Sequence, residues 1–502
     1  MPEERKTIEA RLSASPEVYR HTKFMARFEK AFPWLLAGGA ALVLLETYRK
    51  NANDRAKANA DIKAALKNQE HQAEVLKEQI RQFDENTFKE RKAERRERYT
   101  KAVEQLGNAS APVRLGGVYT LVSLVDEWLR EENIEYNERI AEGQVIINIL
   151  CAYIRSPFAL VSRYDELIQD APTAEGLYKN REQEFYIDKA GLESEKKVRL
   201  SIIQEIRRRL QGSKENTPGA WSDFEYDFSG SIFFYPVDFT HSYYAKPVNF
   251  NGSIYQGEAD FRSSTYRGSA GFARSTYRGG AYFNGSTYLS EAVFRGSVYR
   301  CAATFNDSVY HYWVDLRGST YQGAADFGGS IYRYWADFRG STYRRWAYLN
   351  DSICRGWAGL SHSVYEGEAD FSGSIFCSDI YFGQDGDNSS FSRFTGCAPQ
   401  FYDETNHKNT LFGSHNNDFT VENGRGYPVY RGLEGLPLGC CFLAKTQEEY
   451  LSGIFKEIEE TREKLLTTEY FQEKIGLPGK LRAFNTALHE WREKVTTAQR
   501  TR

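Results

Sequence analysis

The chain repeats every eleven residues between Phe228 and Phe382. One series of large apolar residues has this spacing throughout: Phe228, Phe239, Phe250, Phe261, Phe272, Phe283, Phe294, Phe305, Leu316, Phe327, Phe338, Leu349, Leu360, Phe371 and Phe382. A second series lies five residues behind it: Phe233, Tyr244, Tyr255, Tyr266, Tyr277, Tyr288, Tyr299, Tyr310, Tyr321, Tyr332, Tyr343, Cys354, Tyr365 and Phe376. A serine series runs between them from Ser231 to Ser374. A short fixed period held over about 150 residues predicts a solenoid.

The repeat unit predicts short strands with one buried face. In a typical unit, Ala336 and Phe338 alternate with outward residues, and Ser341 and Tyr343 then do the same. Spacings of five and six residues drift around a helix of 3.6 residues per turn, so a helix cannot bury the series on one face. Two units of eleven residues make one four-sided coil. We therefore expect inward ladders of aromatic rings, with Asp, Arg and Gly at corners and on outer faces.

The unit Ala336-Asp337-Phe338-Arg339-Gly340 resembles the five-residue unit of the pentapeptide-repeat family, and residues 325–329 and 369–373 fit it equally well. The alternation of five and six residues is similar to the aromatic-rich branch of that family. The resemblance implies an α plus β-solenoid protein whose residues 221–382 form a right-handed quadrilateral parallel β-helix. The extra residue in every second unit departs from the strict family pattern.

An uncharged run follows the polar segment 1–30 and predicts a single membrane-spanning helix over residues 31–48. Its predicted anchor residues are Phe32, Trp34, Leu35, Leu36, Leu42, Val43, Leu44, Leu45 and Tyr48. The run is shorter than the roughly 20 residues that a spanning helix prefers, but Trp34 and Tyr48 lie near its ends as interfacial aromatics do. A buried or interfacial helix is the alternative. The sparse, unpaired cysteines favour a reduced, cytoplasmic setting for the bulk of the chain.

Residues 49–98 are dense in charged residues and predict a coiled coil or a long charged helix. Ile62, Leu66, Gln69, Ala73, Leu76, Ile80, Phe83 and Thr87 follow a four-three spacing, which indicates a heptad seam and a homo-oligomer formed through residues 62–87. A single solvated helix is the alternative.

Residues 99–212 predict a helical module. Its segment Arg114 to Tyr119 resembles the one that precedes the repeats in membrane-anchored actinobacterial pentapeptide-repeat proteins. Val198 to Leu210 predicts an amphipathic helix that caps the N-terminal end of the solenoid. Residues 383–445 predict an irregular, loop-rich segment, and residues 446–502 predict a helical hairpin that covers the open C-terminal end.

No pattern of catalytic chemistry is present in the sequence. It has no nucleophile elbow, phosphate loop or His-Glu-x-x-His motif. His407 and His415, with Asp403 and Asp418 nearby, are interpreted as solvated loop residues. The expectation is a protein with no catalytic, cofactor-binding or metal-binding residues. An enzyme with its site in residues 383–440 is a third hypothesis that rests on loop composition alone.

The outward residues of the repeat are the candidates for function. Asp recurs before the core Phe or Leu, and Arg recurs after it or after the core Tyr, so the interpretation is either charge pairing between coils or a partner-binding face. Tryptophans at the corners favour a face, because exposed aromatics anchor interfaces. The candidate face consists of Trp313, Trp335, Trp346, Trp357, Arg333, Arg344 and Arg355.

These patterns predict a non-enzymatic, membrane-tethered β-helix scaffold for an unidentified protein partner. The alternative is a DNA-mimicking regulator of a type II topoisomerase, as some relatives of the resembled family are. That mechanism needs a strongly acidic face. Between Trp221 and Phe382 the chain has 16 acidic and 13 basic residues, and the net charge of the whole chain is −3. This balance argues against DNA mimicry and against nucleic-acid binding by the whole chain.

Overall fold

The structure is a computed structural model that describes residues 54–214, 216–383, 391–422, 424, 426–467 and 476–497, with side chains from residue 63 onward. The chain divides into two compact units, residues 1–94 and residues 95–502. The predicted polar segment 1–30 and the predicted anchor 31–48 lie outside the described residues.

The helices of the described residues agree with the predicted helical regions. They are α1 Asp54–Leu106, α2 Ala111–Leu129, α3 Tyr136–Arg155, a 3₁₀ turn Ala159–Arg163, α4 Tyr164–Leu167, α5 Glu182–Leu210, α6 Lys445–Thr467 and α7 Leu477–Thr496. The first helix ends before Gly107, and α2 begins with Pro112 in its first turn, where a missing N–H costs nothing. Within residues 63–94, Leu66 and Phe83 of the heptad seam are half-exposed. Self-association through residues 62–87 stays a prediction.

Four parallel sheets form the sides of the solenoid, and each strand is two residues long. Each strand pairs with the strand one coil further on, as Ala336 does with Ala358. Sheet 1 contains β1 Tyr226–Asp227, β5 Val248–Asn249, β9 Ala270–Gly271, β13 Ala292–Val293, β17 Val314–Asp315, β21 Ala336–Asp337, β25 Ala358–Gly359 and β29 Ile380–Tyr381. Sheet 2 contains β2 Ile232–Phe233, β6 Ile254–Tyr255, β10 Thr276–Tyr277, β14 Val298–Tyr299, β18 Thr320–Tyr321, β22 Thr342–Tyr343, β26 Val364–Tyr365 and β30 Arg393–Phe394.

The other two sides complete each coil. Sheet 3 contains β3 Val237–Asp238, β7 Ala259–Asp260, β11 Ala281–Tyr282, β15 Ala303–Thr304, β19 Ala325–Asp326, β23 Ala347–Tyr348 and β27 Ala369–Asp370. Sheet 4 contains β4 Tyr243–Tyr244, β8 Thr265–Tyr266, β12 Thr287–Tyr288, β16 Val309–Tyr310, β20 Ile331–Tyr332, β24 Ile353–Cys354, β28 Ile375–Phe376, β33 Leu411–Phe412 and β34 Cys441–Phe442. A separate antiparallel pair is β31 Tyr402–Asp403 with β32 Lys408–Asn409. The predicted four-sided parallel solenoid is confirmed.

The interior consists of the predicted aromatic ladders. Tyr277 stacks on Tyr255 at 4.7 Å and on Tyr299 at 4.8 Å between ring centroids. The serines between the ladders are buried for a hydrogen-bonding reason. Ser297 donates its hydroxyl to the Phe272 carbonyl at 3.0 Å and accepts the backbone N–H of Ser275 at 3.2 Å. Phe, Tyr and Ser therefore recur because the core and the corners need them.

The helical module closes the N-terminal end of the solenoid, as predicted for Val198 to Leu210. Ile202, Ile206 and Leu210 of α5 belong to one continuous apolar core with Phe228. The α3 backbone also comes close to the first coil. A Cβ atom at Gly143 would lie 2.6 Å from the Phe224 ring, so only glycine permits this approach.

The C-terminal hairpin is present, but it packs along the outer face of sheet 4 instead of covering the open end. Val309, Ile331, Ile353 and Ile375 on that face form a second apolar cluster, with Leu451, Phe455, Ile458, Leu465, Leu481 and Leu488 of the two helices. The reason is the aliphatic strip itself, which would otherwise face water. The register that placed Tyr in the core also placed Val and Ile outside on this sheet.

The open end is covered by the segment that sequence alone describes as irregular. Phe394 stacks on Tyr365 at 4.6 Å, Phe401 on Phe371 at 5.0 Å and Phe412 on Phe376 at 5.5 Å. The aromatic ladders thus continue beyond the last regular repeat while the spacing changes. Insertions between the stacked rings hide the period from sequence inspection.

Tyr136–Leu167 is the one stretch of the described chain that is long and apolar enough to cross a membrane by length and composition. Ile147, Leu150 and Ile154 within it are fully buried in the core that joins the helical module to the solenoid. Tyr136 and Val145 of the same stretch are half-exposed. The finding is separate from the anchor predicted at 31–48.

Candidate interaction surfaces

Three of the predicted tryptophans form a column at the corner between sheets 4 and 1. Trp313, Trp335 and Trp357 precede successive strands of sheet 1, and the rings of Trp335 and Trp357 are 5.9 Å apart. Trp335 is 55% exposed. We call these residues, with Tyr312 and Tyr334, the tryptophan corner.

Tyr312 and Tyr334 lie outside the face predicted from the sequence, although they share the 22-residue spacing of the tryptophans. Their rings lie 5.4 Å apart, and Tyr334 is exposed. Because each precedes a Trp at the same corner, the signal that identifies the Trp column also identifies the tyrosines. The exposed aromatic surface is therefore wider than predicted.

The surface of sheet 1 holds the ring of Trp357 in place. A Cβ atom at Gly359 would lie 2.4 Å from the Trp357 ring, so glycine at this outward position makes room for the indole to lie against the sheet. The Arg339 guanidinium covers the ring from 5.3 Å. A cation over an indole face adds a favourable electrostatic contact.

Asp and Arg residues beside this column pair within and between coils. Arg317 contacts Asp315 of its own coil at 2.9 Å and Asp337 of the next coil at 3.3 Å. Arg295 reaches Asp315 from the preceding coil at 3.6 Å. The predicted charge pairing between coils is confirmed on sheet 1. The hydrogen bond that Arg317 donates to Asp315, more than any other contact, raises the pKa of Arg317.

Trp346 lies on the other side of the rod, at the corner between sheets 2 and 3. It is 51% exposed and follows the exposed residues Arg344 and Arg345. Its ring centroid is 6.3 Å from that of Tyr348. We call Arg344, Arg345 and Trp346 the arginine corner.

The remaining two predicted face residues lie at the hairpin. The Arg333 side chain is fully buried beneath α6, where it contacts Glu459 at 2.7 Å and donates to the Phe455 carbonyl at 3.3 Å. Burial lowers its pKa to about 10. Arg355 lies 5.2 Å from the Phe455 ring. These arginines bind the chain's own hairpin, so the accessible face consists of the tryptophans and Arg344.

A histidine completes the contact beneath α6. His311 is fully buried and accepts a hydrogen bond from Arg333 at 2.8 Å through Nδ1. Burial lowers the pKa of His311 well below its ordinary value, and Arg333 and Arg462 lower it further. A neutral imidazole is the form that can accept from a guanidinium.

His407, His415 and Asp403 of the loop-rich segment do not come together in a catalytic arrangement. His407 is exposed and lies 3.2 Å from the Tyr402 hydroxyl, and Asp403 accepts N–H groups of its own turn. The His415 ring packs on Phe442 with centroids 4.1 Å apart. Among the described residues, no group of three or more His, Cys, Asp or Glu side chains could hold a metal ion.

All seven cysteines are free. Cys354 is buried in the tyrosine ladder as expected, and burial raises the pKa of its thiol. Burial also raises the pKa of Cys377 to about 12. Such thiols are poor nucleophiles because the thiolate is the reactive form.

The fold defines the class of this protein as a parallel β-solenoid with a helical module at one end and a helical hairpin on one side. No family model, curated protein or solved structure matches the chain.

Proposed function

We propose that this protein is a non-enzymatic scaffold that binds a partner protein through the tryptophan corner and the arginine corner. The main support for this proposal is that the side chains of Trp335 and Trp346 are half-exposed on a rigid solenoid. Large aromatic side chains held in one position lose little entropy on binding and are enriched among residues that dominate interface energies. The stacked core supplies the rigidity, because every coil is bonded to both neighbours.

Partner capture from the native cell tests this proposal. We expect the Trp335→Ala and Trp346→Ala variants of the full chain to retain at most about one thirtieth of the binding, since a hot-spot aromatic contributes about 2 kcal/mol or more. The Tyr430→Ala variant is the matched control because Tyr430 is equally exposed but lies outside both corners. Unchanged capture by both Trp variants would contradict the proposal.

The second element of the proposal is a tether. Residues 31–48 would anchor the chain in a membrane, with the solenoid on the cytoplasmic side, in keeping with free cysteines. The resemblance to membrane-anchored pentapeptide-repeat proteins supports the same order of segments.

Membrane fractionation tests the tether separately from partner binding. The full chain is expected in the membrane fraction, resistant to high salt, and the chain lacking residues 31–48 is expected in the soluble fraction. Extraction of the full chain by salt alone would indicate peripheral attachment and would refute a spanning anchor.

The charge pairing on sheet 1 argues against DNA mimicry by that face. The outward Asp315 and Asp337 are neutralised by arginines, whereas a mimic of the phosphate backbone needs unpaired negative charge along one face.

A further inference from the structure

The outer face of sheet 2, like that of sheet 4, carries a row of β-branched residues. From Val298 to Val364, no helix of the described residues packs on this row. On sheet 4, Val309, Ile331, Ile353 and Ile375 are buried by the hairpin. Their counterparts on sheet 2, displaced by eleven residues, are Val298, Thr320, Thr342 and Val364. These four are only half-buried. Each coil contributes one β-branched residue to a continuous strip, and neighbouring residues of the strip are roughly 4.8 Å apart, the spacing between strands.

The strip lies between two columns of arginine. The stretches 273–280, 295–302, 317–324 and 339–346, which form sheet 2 and its corners in four consecutive coils, contain eight Arg and no Asp or Glu. The eight are Arg274, Arg278, Arg295, Arg300, Arg317, Arg339, Arg344 and Arg345. In these four coils, the side formed by sheet 2 and its corners is therefore basic. The basic stretch ends there, because the next coil carries the exposed Glu366 and Glu368 at the corner between sheets 2 and 3.

Only some of these arginines have acidic partners. Arg295, Arg317 and Arg339 pair with the aspartates of sheet 1. For Arg274, Arg300, Arg344 and Arg345, no ion pair is found among the described residues. The last three flank the strip on its sheet 3 side and are exposed.

Sheet 4 shows how such a face binds a helix. Arg333 and Arg267 follow core tyrosines and hold α6, the first through Glu459 and the second through the Leu466 carbonyl at 2.8 Å. A shift of eleven residues takes Arg333 to Arg344 and Arg267 to Arg278. Arg278 already binds an acidic residue of the helical module, Asp165 of α4, at 3.0 Å. The equivalent position further along, Arg344, is open.

We propose that the outer face of sheet 2 from Val298 to Thr342 binds an acidic amphipathic helix of the partner protein. Its apolar side would pack on the β-branched strip, and its carboxylates would pair with Arg300 and Arg344 as Glu459 pairs with Arg333. This inference rests on the proposed scaffold function and adds the chemistry of the partner. The exposed Trp346 lies at the edge of the same face, next to Arg344 and Arg345.

Site-specific photo-cross-linking in the native cell tests the inference on the full chain. A benzophenone amino acid replaces Thr320 on sheet 2, and in a control chain it replaces Thr304, which is half-buried at the outward position of sheet 3. We expect an adduct at position 320 that mass spectrometry maps to a segment with acidic residues at helical spacing. The Arg344→Gln and Arg300→Gln changes should each lower its yield about tenfold, the factor for one lost charge-assisted contact.

The Arg262→Gln variant provides the matched arginine control, because Arg262 is exposed on the sheet 3 side. Equal adducts at positions 320 and 304, an adduct to nucleic acid, or a yield insensitive to Arg300 and Arg344 would each overturn the inference. If partner capture still depends on Trp335 while position 320 gives no adduct, the scaffold function stands and the sheet 2 assignment fails. If capture does not depend on Trp335 and position 320 gives no adduct, both the scaffold function and the sheet 2 assignment are refuted.

Discussion

Replacing Phe305 by alanine is expected to lower the free energy of unfolding by about 3–5 kcal/mol, the usual cost of emptying a buried phenylalanine site. Phe305 is fully buried at mid-length of the solenoid. Its ring stacks at 5.0 Å on both Phe283 and Phe327 and meets Phe294 edge-on at 5.1 Å. The cavity would therefore weaken the contacts with both adjacent coils, one on each side.

The matched control is Phe305→Leu. Leu316, Leu349 and Leu360 occupy the same repeat position in other coils, so the backbone accepts leucine there, and the expected cost is about 1 kcal/mol. Urea unfolding monitored by circular dichroism measures both variants. Equal destabilisation by Ala and Leu would contradict the cavity explanation, because leucine fills most of the space that alanine leaves empty.

Replacing Ile331 by aspartate is expected to detach the hairpin while leaving the solenoid folded. Ile331 is fully buried between sheet 4 and α6. An unpaired carboxylate there would cost several kcal/mol if the hairpin stayed in place. Undocking lets water reach the charge. The stacked core does not contain Ile331, so its ladders remain intact.

Hydrogen exchange measures this outcome element by element. Amides of Lys445–Thr467 should lose their protection in the Ile331→Asp variant, and amides of the strands of sheets 1 to 3 should keep theirs. Thr320→Asp is the control, because Thr320 holds the same repeat position eleven residues earlier on the uncovered sheet 2. That control should leave hairpin protection unchanged. Protected α6 amides in the Ile331 variant would show that the hairpin is held by other contacts.

Arg333 and Arg344 show that the same position of the repeat can either bind the chain's own hairpin or remain exposed. Arg333 on sheet 4 is fully buried against α6, while Arg344, eleven residues on, is exposed on sheet 2. The side chains are chemically alike and hold the same position in the unit. Only the covering helix differs, so the position of the hairpin determines which of the two faces is exposed.

The eleven-residue spacing is enough to predict the solenoid, its four-sided coil, its inward rings and the alternation of its outward residues. It could do so because each coil contacts only its neighbours, and a local, repeated contact leaves a period in the chain. Phe228, Tyr277 and Ser297 could be assigned to the interior from spacing alone. The N-terminal cap at Val198 to Leu210 was also predictable, since its apolar positions show helical periodicity.

Three features are visible only in the folded chain: the position of the hairpin, the closure of the open end by Phe394, Phe401 and Phe412, and the burial of Arg333. These contacts join segments more than a hundred residues apart or separated by irregular insertions, such as Arg333 with Glu459. These contacts leave no periodic pattern in the sequence, because each of them occurs only once. Which side of a regular rod is covered depends on the shape and charge of a distant element, and that information appears only when the chain is folded.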